Sequence, residues 1–160
     1  MATLPQLLAD DLHRLNDVLG GFVAQTDAIA ALVIDKGGFL LAHYGDAENL
    51  DFTTIGALAS GAFMANQTIA GLVNEKNFKC LYQQGETFSL FIMDVDEHSL
   101  LVVIFKSQSG VGVVKYYAVG VVKKIAAQFA AARERDPGGG FDLSELNVAD
   151  PQDFFRKKSM

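Results

Sequence analysis

Apolar residues recur at three- and four-residue steps over residues 4–25, at Leu4, Leu7, Leu8, Leu12, Leu15, Val18, Leu19, Phe22 and Val23. Asp10, Asp11, His13, Arg14 and Asp17 fall mostly on the other side, so the spacing predicts an amphipathic helix. Gly20 and Gly21 weaken its last turn and mark an expected end. Residues 28–34 are wholly apolar and β-branched at their end, the pattern of a strand covered on both faces. Asp35-Lys36-Gly37-Gly38 supplies the positive backbone angles of a tight hairpin, and residues 39–44 return as its partner strand.

Residues 52–74, FTTIGALASGAFMANQTIAGLVN, contain no charged side chain and no proline. Asp51 or Thr53 can cap this stretch and Asn74 can close it, so a second helix is expected. At roughly 100° per residue, Ile55, Leu58, Ala62, Ala65, Ile69, Leu72 and Val73 share one sector, which reads as the core face. The opposite sector holds Gly56, Ala57, Ser60, Gly61, Phe63, Met64, Gln67, Thr68, Ala70 and Gly71. On an isolated small domain that outer sector carries charge. Its neutrality predicts a helix packed on both sides, once against its own sheet and once against another chain. Interior glycines cost roughly 1 kcal/mol each against alanine, and close backbone approach to a neighbour accounts for them.

Three further strands follow. Residues 78–84 alternate, with Phe78, Cys80 and Tyr82 on one face and Lys79, Leu81 and Gln83 on the other; the polarity places this strand at a sheet edge. Residues 87–93 and the fully apolar 100–105 come next, the latter expected at the sheet centre. A last helix spans 112–135, with Val114, Ala118, Val121, Ile125 and Phe129 facing inward and Arg133 and Arg135 at its negative end. Short turns between consecutive strands favour antiparallel pairing. The class is therefore α+β, in the order α-β-β-α-β-β-β-α, with a five-stranded antiparallel sheet between helices. Pro137 and Gly138-Gly139-Gly140 end the domain at residue 135, and residues 136–160 read as a tail.

Of 160 residues half are apolar, enough for one real core, and the net charge of −6 argues against nucleic acid. The start of the chain lacks a basic flank, and no apolar run approaches the ~20 residues of a membrane span. With a single cysteine, Cys80, no internal disulfide is possible. A soluble cytoplasmic domain is expected.

Reactive groups do not converge in the sequence. His13, His43 and His98 fall on different elements, and none pairs with Cys80 at a metal or nucleophile spacing. Asp94, Asp96 and Glu97 lack the calcium-loop frame and read as a solvated turn. Ser109-Gly110-Val111-Gly112 joins a strand to a helix, but Lys115 stands where a dinucleotide fingerprint needs its third glycine. Neither an active site nor a cofactor is expected.

Four features carry a family resemblance: the stretches AALVIDKGGFLLAHYG, LASGAFMANQTIAGLVNE and LLVVIFKSQSGVGVVKYY, and the element order itself. Together they resemble roadblock/dynein-light-chain domains, bacterial MglB-type GTPase regulators most of all. The resemblance implies a profilin-like sandwich that forms a homodimer, with edge strands joined and central helices side by side. It also implies a Ras-like (MglA-type) small GTPase as partner in polarity or motility signalling. On that basis the chain is expected to act as a GTPase-activating protein without an arginine finger; the alternative is a roadblock scaffold that leaves GTP hydrolysis unchanged. Ala57, Ser60, Gly61, Met64, Gln67, Thr68 and Gly71 are then expected to bind the partner, and Phe63, Lys79, Leu81 and Gln83 to serve the dimer. The tail is expected to order against the GTPase.

Overall fold

The computed structural model describes residues 4–135; the tail expected at 136–160 lies outside the described residues. The elements run α1 (Ala9–Thr26), β1 (Ala30–Asp35), β2 (Leu40–Gly45), α2 (Phe52–Leu72), β3 (Cys80–Gln83), β4 (Phe88–Asp94), β5 (Ser99–Lys106) and α3 (Val111–Arg135). A short 3-10 turn, Ser107–Ser109, joins β5 to α3. All pairings are antiparallel and the strand order is β2-β1-β5-β4-β3. Strands β1 and β5, with their apolar runs at residues 30–34 and 100–105, thus lie inside the sheet, while the short polar β3 forms an edge. Burial decides this order, since a strand that carries apolar residues on both faces needs cover on both.

Opposite parities of the central strands feed two separate cores. Ala31, Val33, Leu101, Val103 and Phe105 face α1 and α3, and pack with Leu15, Leu19, Phe22, Val114, Ile125 and Phe129. Ala30, Leu32, Ile34, Leu100, Val102 and Ile104 face α2 and pack with Phe52, Ala59 and Phe63.

The first helix passes through Gly20 and Gly21 and ends at Thr26, at the limit of its apolar spacing and not at the glycine pair. Gly20 gains a packing reason, since an added Cβ there would meet the Tyr44 ring at 3.1 Å. At its other end, the buried Asp11 carboxylate accepts from the Leu8 backbone N–H at 2.7 Å, from Gln128 at 2.7 Å and from Arg135 at 2.7 Å. The Arg135 hydrogen bond, against the opposing effect of burial, holds the Asp11 carboxyl well below the usual carboxylate range. This one group caps α1 and ties it to the end of α3.

Candidate functional site

Asp51 caps α2, accepting from the Thr54 backbone N–H at 3.1 Å and from its hydroxyl at 2.6 Å. Past the helix, Asn74 has φ 60, the left-handed conformation of a helix end, and the Glu75 N–H returns to the Ala70 carbonyl at 2.8 Å. Between these caps the helix is uncharged on every side, as its sequence reads.

The face it turns to the sheet is rotated from the one expected, so that it takes in part of the sector read as outer. Phe52, Gly56, Ala59, Ser60, Phe63 and Ala70 are buried, whereas Leu58 is 69% exposed, Ile69 47% and Leu72 78%. The reason is steric. The sheet offers bulky residues, Leu32, Ile34, Ile92, Leu100 and Val102, so a close-lying helix meets them with small ones. Gly56 has no room to spare, since an added Cβ would come within 3.0 Å of Ile34 Cγ2. Ser60 donates its hydroxyl to the Lys36 carbonyl at 2.6 Å, removing the cost of burying it.

Two of the expected site residues are corrected by this orientation. Phe63, assigned to the dimer, is 2% exposed and anchors α2 to its own sheet. Ser60, assigned to the partner, is buried beneath the helix. Ala57, Gly61, Met64, Thr68 and Gly71 are exposed together on one side of α2. Gln67 is half-buried, donating to the Phe78 carbonyl at 2.7 Å and accepting from its N–H at 3.2 Å. It fastens the end of α2 to the entry of β3. Lys79, just before β3, and Gln83 at its end are exposed, and within the strand Leu81 packs partly against the α2-side core. Its inner edge pairs with β4, and among the described residues no strand covers its outer edge.

Sequence reasoning missed the groove that this arrangement opens. One helix does not cover five strands, and beside α2 a depression of about 1010 Å³ lies over the ends of β1, β4 and β5. Ile29, Leu50, Ile55, Leu58, Leu90 and Ile104 give it an apolar wall, Gln83 and Gln84 line its β3 end, and Asp46 and Lys106 are its only charged lining residues among those described. The signal was present in the spacing of Phe52, Gly56, Ala59, Ser60 and Phe63, small residues between two aromatics, which is how a helix lies close on a sheet. Among the described residues no group of three or more His, Cys, Asp or Glu could hold a metal ion, and no helix is long and apolar enough to cross a membrane. The Ser107–Ser109 turn and Gly110, at φ 75, lead directly into α3.

This fold, with α2 alone on one face and both terminal helices on the other, agrees with a match of residues 14–105 to the Roadblock/LC7 domain model. The chain belongs to the Roadblock/LC7 family. Among solved structures it is similar to an MglB with a tetrameric arrangement (TM-score 0.76, 28% identity, 82% of this chain and 99% of that one). It is likewise similar to the gliding protein MglB of Thermus thermophilus (TM-score 0.73, 28% identity, 82% and 99%). Myxococcus xanthus MglB matches at TM-score 0.70 and 26% identity, over 73% and 95% of the two chains. No curated protein sequence matches significantly. The roadblock match ends at β5, so α3 is placed by the structural neighbours and by the core it completes.

Proposed function

We propose that the protein is a homodimeric regulator of a Ras-like small GTPase, acting on it as a GTPase-activating protein from the exposed side of α2. The observation that carries this reading is a 21-residue helix with no charge and a broad exposed arc away from the sheet. At roughly 100° per residue, Leu58, Ala65, Ile69 and Leu72 point to the groove side, and Ala57, Gly61, Met64 and Thr68 to the other.

The first sector suits a second subunit. Two β3 edges pairing antiparallel around a two-fold axis bring the entry of one strand beside the exit of the other. Gln67 fastens the end of α2 to Phe78, at the entry of β3. The partner subunit's α2 end, with its exposed Leu72 and Val73, then lies over the groove near Gln83 and Gln84. Apolar surface meets apolar surface, and the free strand edge is closed.

The second sector suits the GTPase. It is neutral and shallow, and between Phe52 and Val73 it offers no arginine to insert into a partner's active site. Activation from here works by holding the GTPase's own catalytic groups in place. The similarity to MglB structures supports the same direction. On this reading the protein is a cytoplasmic, cofactor-free binding protein with no active site of its own.

The test combines Met64→Arg with Thr68→Arg, both exposed and one turn apart. Two guanidinium groups in a close-packed interface are costly to desolvate. GTP hydrolysis by the source organism's MglA-type GTPase should rise with the native protein and stay at its basal rate with the variant, whose dimer and circular dichroism are unchanged. Acceleration by the variant equal to that by the native chain removes α2 as the docking surface. Binding without any acceleration by the native chain makes the protein a scaffold.

A further inference from the structure

The outer face of α3 has a charge and surface pattern that neither the core nor the α2 surface uses. From Val111 to Arg133 the helix contains Lys115, Lys123, Lys124 and Arg133 and not one carboxylate, in a chain of net charge −6. Its outward side is not a solvated polar face. Tyr116 is 76% exposed, Val113 46% and Val119 43%, and Gly112 and Gly120 have nothing within 4 Å of an added Cβ. Lys115, Lys123 and Lys124 are exposed around this stripe, and none is paired with a carboxylate among the described residues. An apolar strip framed by unpaired cations fits an acidic segment with aliphatic or aromatic anchors.

The chain carries such a segment immediately after this helix. Residues 136–155 hold five carboxylates, Asp136, Asp142, Glu145, Asp150 and Asp153, with no lysine or arginine, interleaved with Phe141, Leu143, Leu146 and Val148. Its reach suffices. Tyr116 lies about 28 Å back along α3 from Arg135 at 1.5 Å per residue, and an extended chain covers up to about 37 Å by Leu146. We infer that the acidic segment around residues 141–153 docks on the Tyr116–Val119–Lys123 face of its own α3, on the side of the sheet opposite α2. This inference does not rest on the GTPase reading. It assigns the tail to the domain itself, where it was expected from the sequence to order against the GTPase.

Zero-length carbodiimide coupling of the intact native protein, read by peptide mass spectrometry, tests it. Asp142, Glu145 or Asp150 should form amide links to Lys115, Lys123 or Lys124, and the links should fade at about 1 M salt, where screening reaches roughly 3 Å. Phe141→Ser with Leu143→Ser, which leaves every carboxylate in place, should reduce them at least about five-fold. Links from these carboxylates chiefly to Lys36, Lys76, Lys79 or Lys106, or no links at all, overturn the assignment. In a mixture of isotopically light and heavy protein, links that join one light and one heavy peptide overturn docking on the same subunit.

Discussion

On one face of the sheet α1 and α3 lie side by side and bury a single continuous cluster reaching from Leu15 to Phe129. On the other face α2 lies alone over a cluster of ten buried residues and leaves an apolar groove of about 1010 Å³ beside it. The same five strands supply both faces, with equally apolar side chains, so the difference lies in the number of helices and not in the sheet. The two-helix face is finished within the subunit. The one-helix face ends in exposed Leu58, Ile69 and Leu72, apolar surface whose removal from water at about 25 cal/mol per Å² no helix among the described residues supplies. Incomplete cover, more than any reactive group, is what sets this face apart from the other.

The contrast within α2 can be broken most sharply at Phe63 and Leu72, nine residues apart and opposite in exposure. Phe63→Ala should cost about 3–5 kcal/mol of subunit stability, because a fully packed ring leaves a cavity against Leu32 and Ile92. That loss should be the same at every protein concentration. Leu72→Glu should leave the unfolding of dilute subunits nearly unchanged and weaken the dimer at least ten-fold, about 1.4 kcal/mol. Denaturation followed by sedimentation separates the two. A concentration-dependent loss for Phe63→Ala would return that residue to the interface.

The fold was legible because burial writes itself into sequence along strands. The unbroken apolar runs of β1 and β5 placed them inside the sheet, and the alternation of Lys79, Leu81 and Gln83 placed β3 at its edge. That α2 would carry apolar residues beyond its sheet face was equally legible from its lack of charge. Which side was which was not. Periodicity groups Leu58, Ile69 and Leu72 correctly, but hydrophobicity alone assigns the larger aliphatic sector to the core. Here bulky sheet residues were met by the glycine, alanine and serine of the helix, and the aliphatic sector was left exposed. The groove is likewise a shortfall of cover, which depends on how one helix crosses five strands and has no residue of its own to announce it.

The finished face is held at one end by a polar lock, and acid should release it first. Asp11 is depressed by its Arg135 hydrogen bond. At Asp96 burial acts to raise the carboxyl, yet hydrogen bonds from Ser99 and the His98 N–H, with nearby Arg133, outweigh it and lower it. A folded-state carboxyl held below its unfolded value of about 3.9 contributes stability above that pH and loses it as pH falls further. Native protein should therefore lose stability steadily below about pH 4. Asp11→Ala, which removes the cap of α1 and its tie to α3, should cost about 2 kcal/mol at pH 7 and flatten the acid limb. A variant whose acid limb matches the native one would mean the lock contributes little.

The smallest expected effect concerns a glycine, and it sharpens the comparison most. Within α2, Gly56 has a reason inside the subunit, its Cβ position being crowded by Ile34, whereas Gly61 has nothing within 4 Å. An exposed helical glycine without a neighbour costs roughly 0.5–1 kcal/mol against alanine, so in an isolated subunit Gly61→Ala should stabilise by about that amount. If a second protein approaches the α2 backbone at Gly61, the added methyl group occupies that space. The same substitution should then weaken GTPase binding several-fold while raising the melting temperature of the subunit. Gly21→Ala in α1, equally open but on the finished face, should give the stabilisation without the loss of binding. Equal behaviour of the two variants in the binding assay would leave Gly61 without an interface reason, and with it the close approach proposed for this side of the helix.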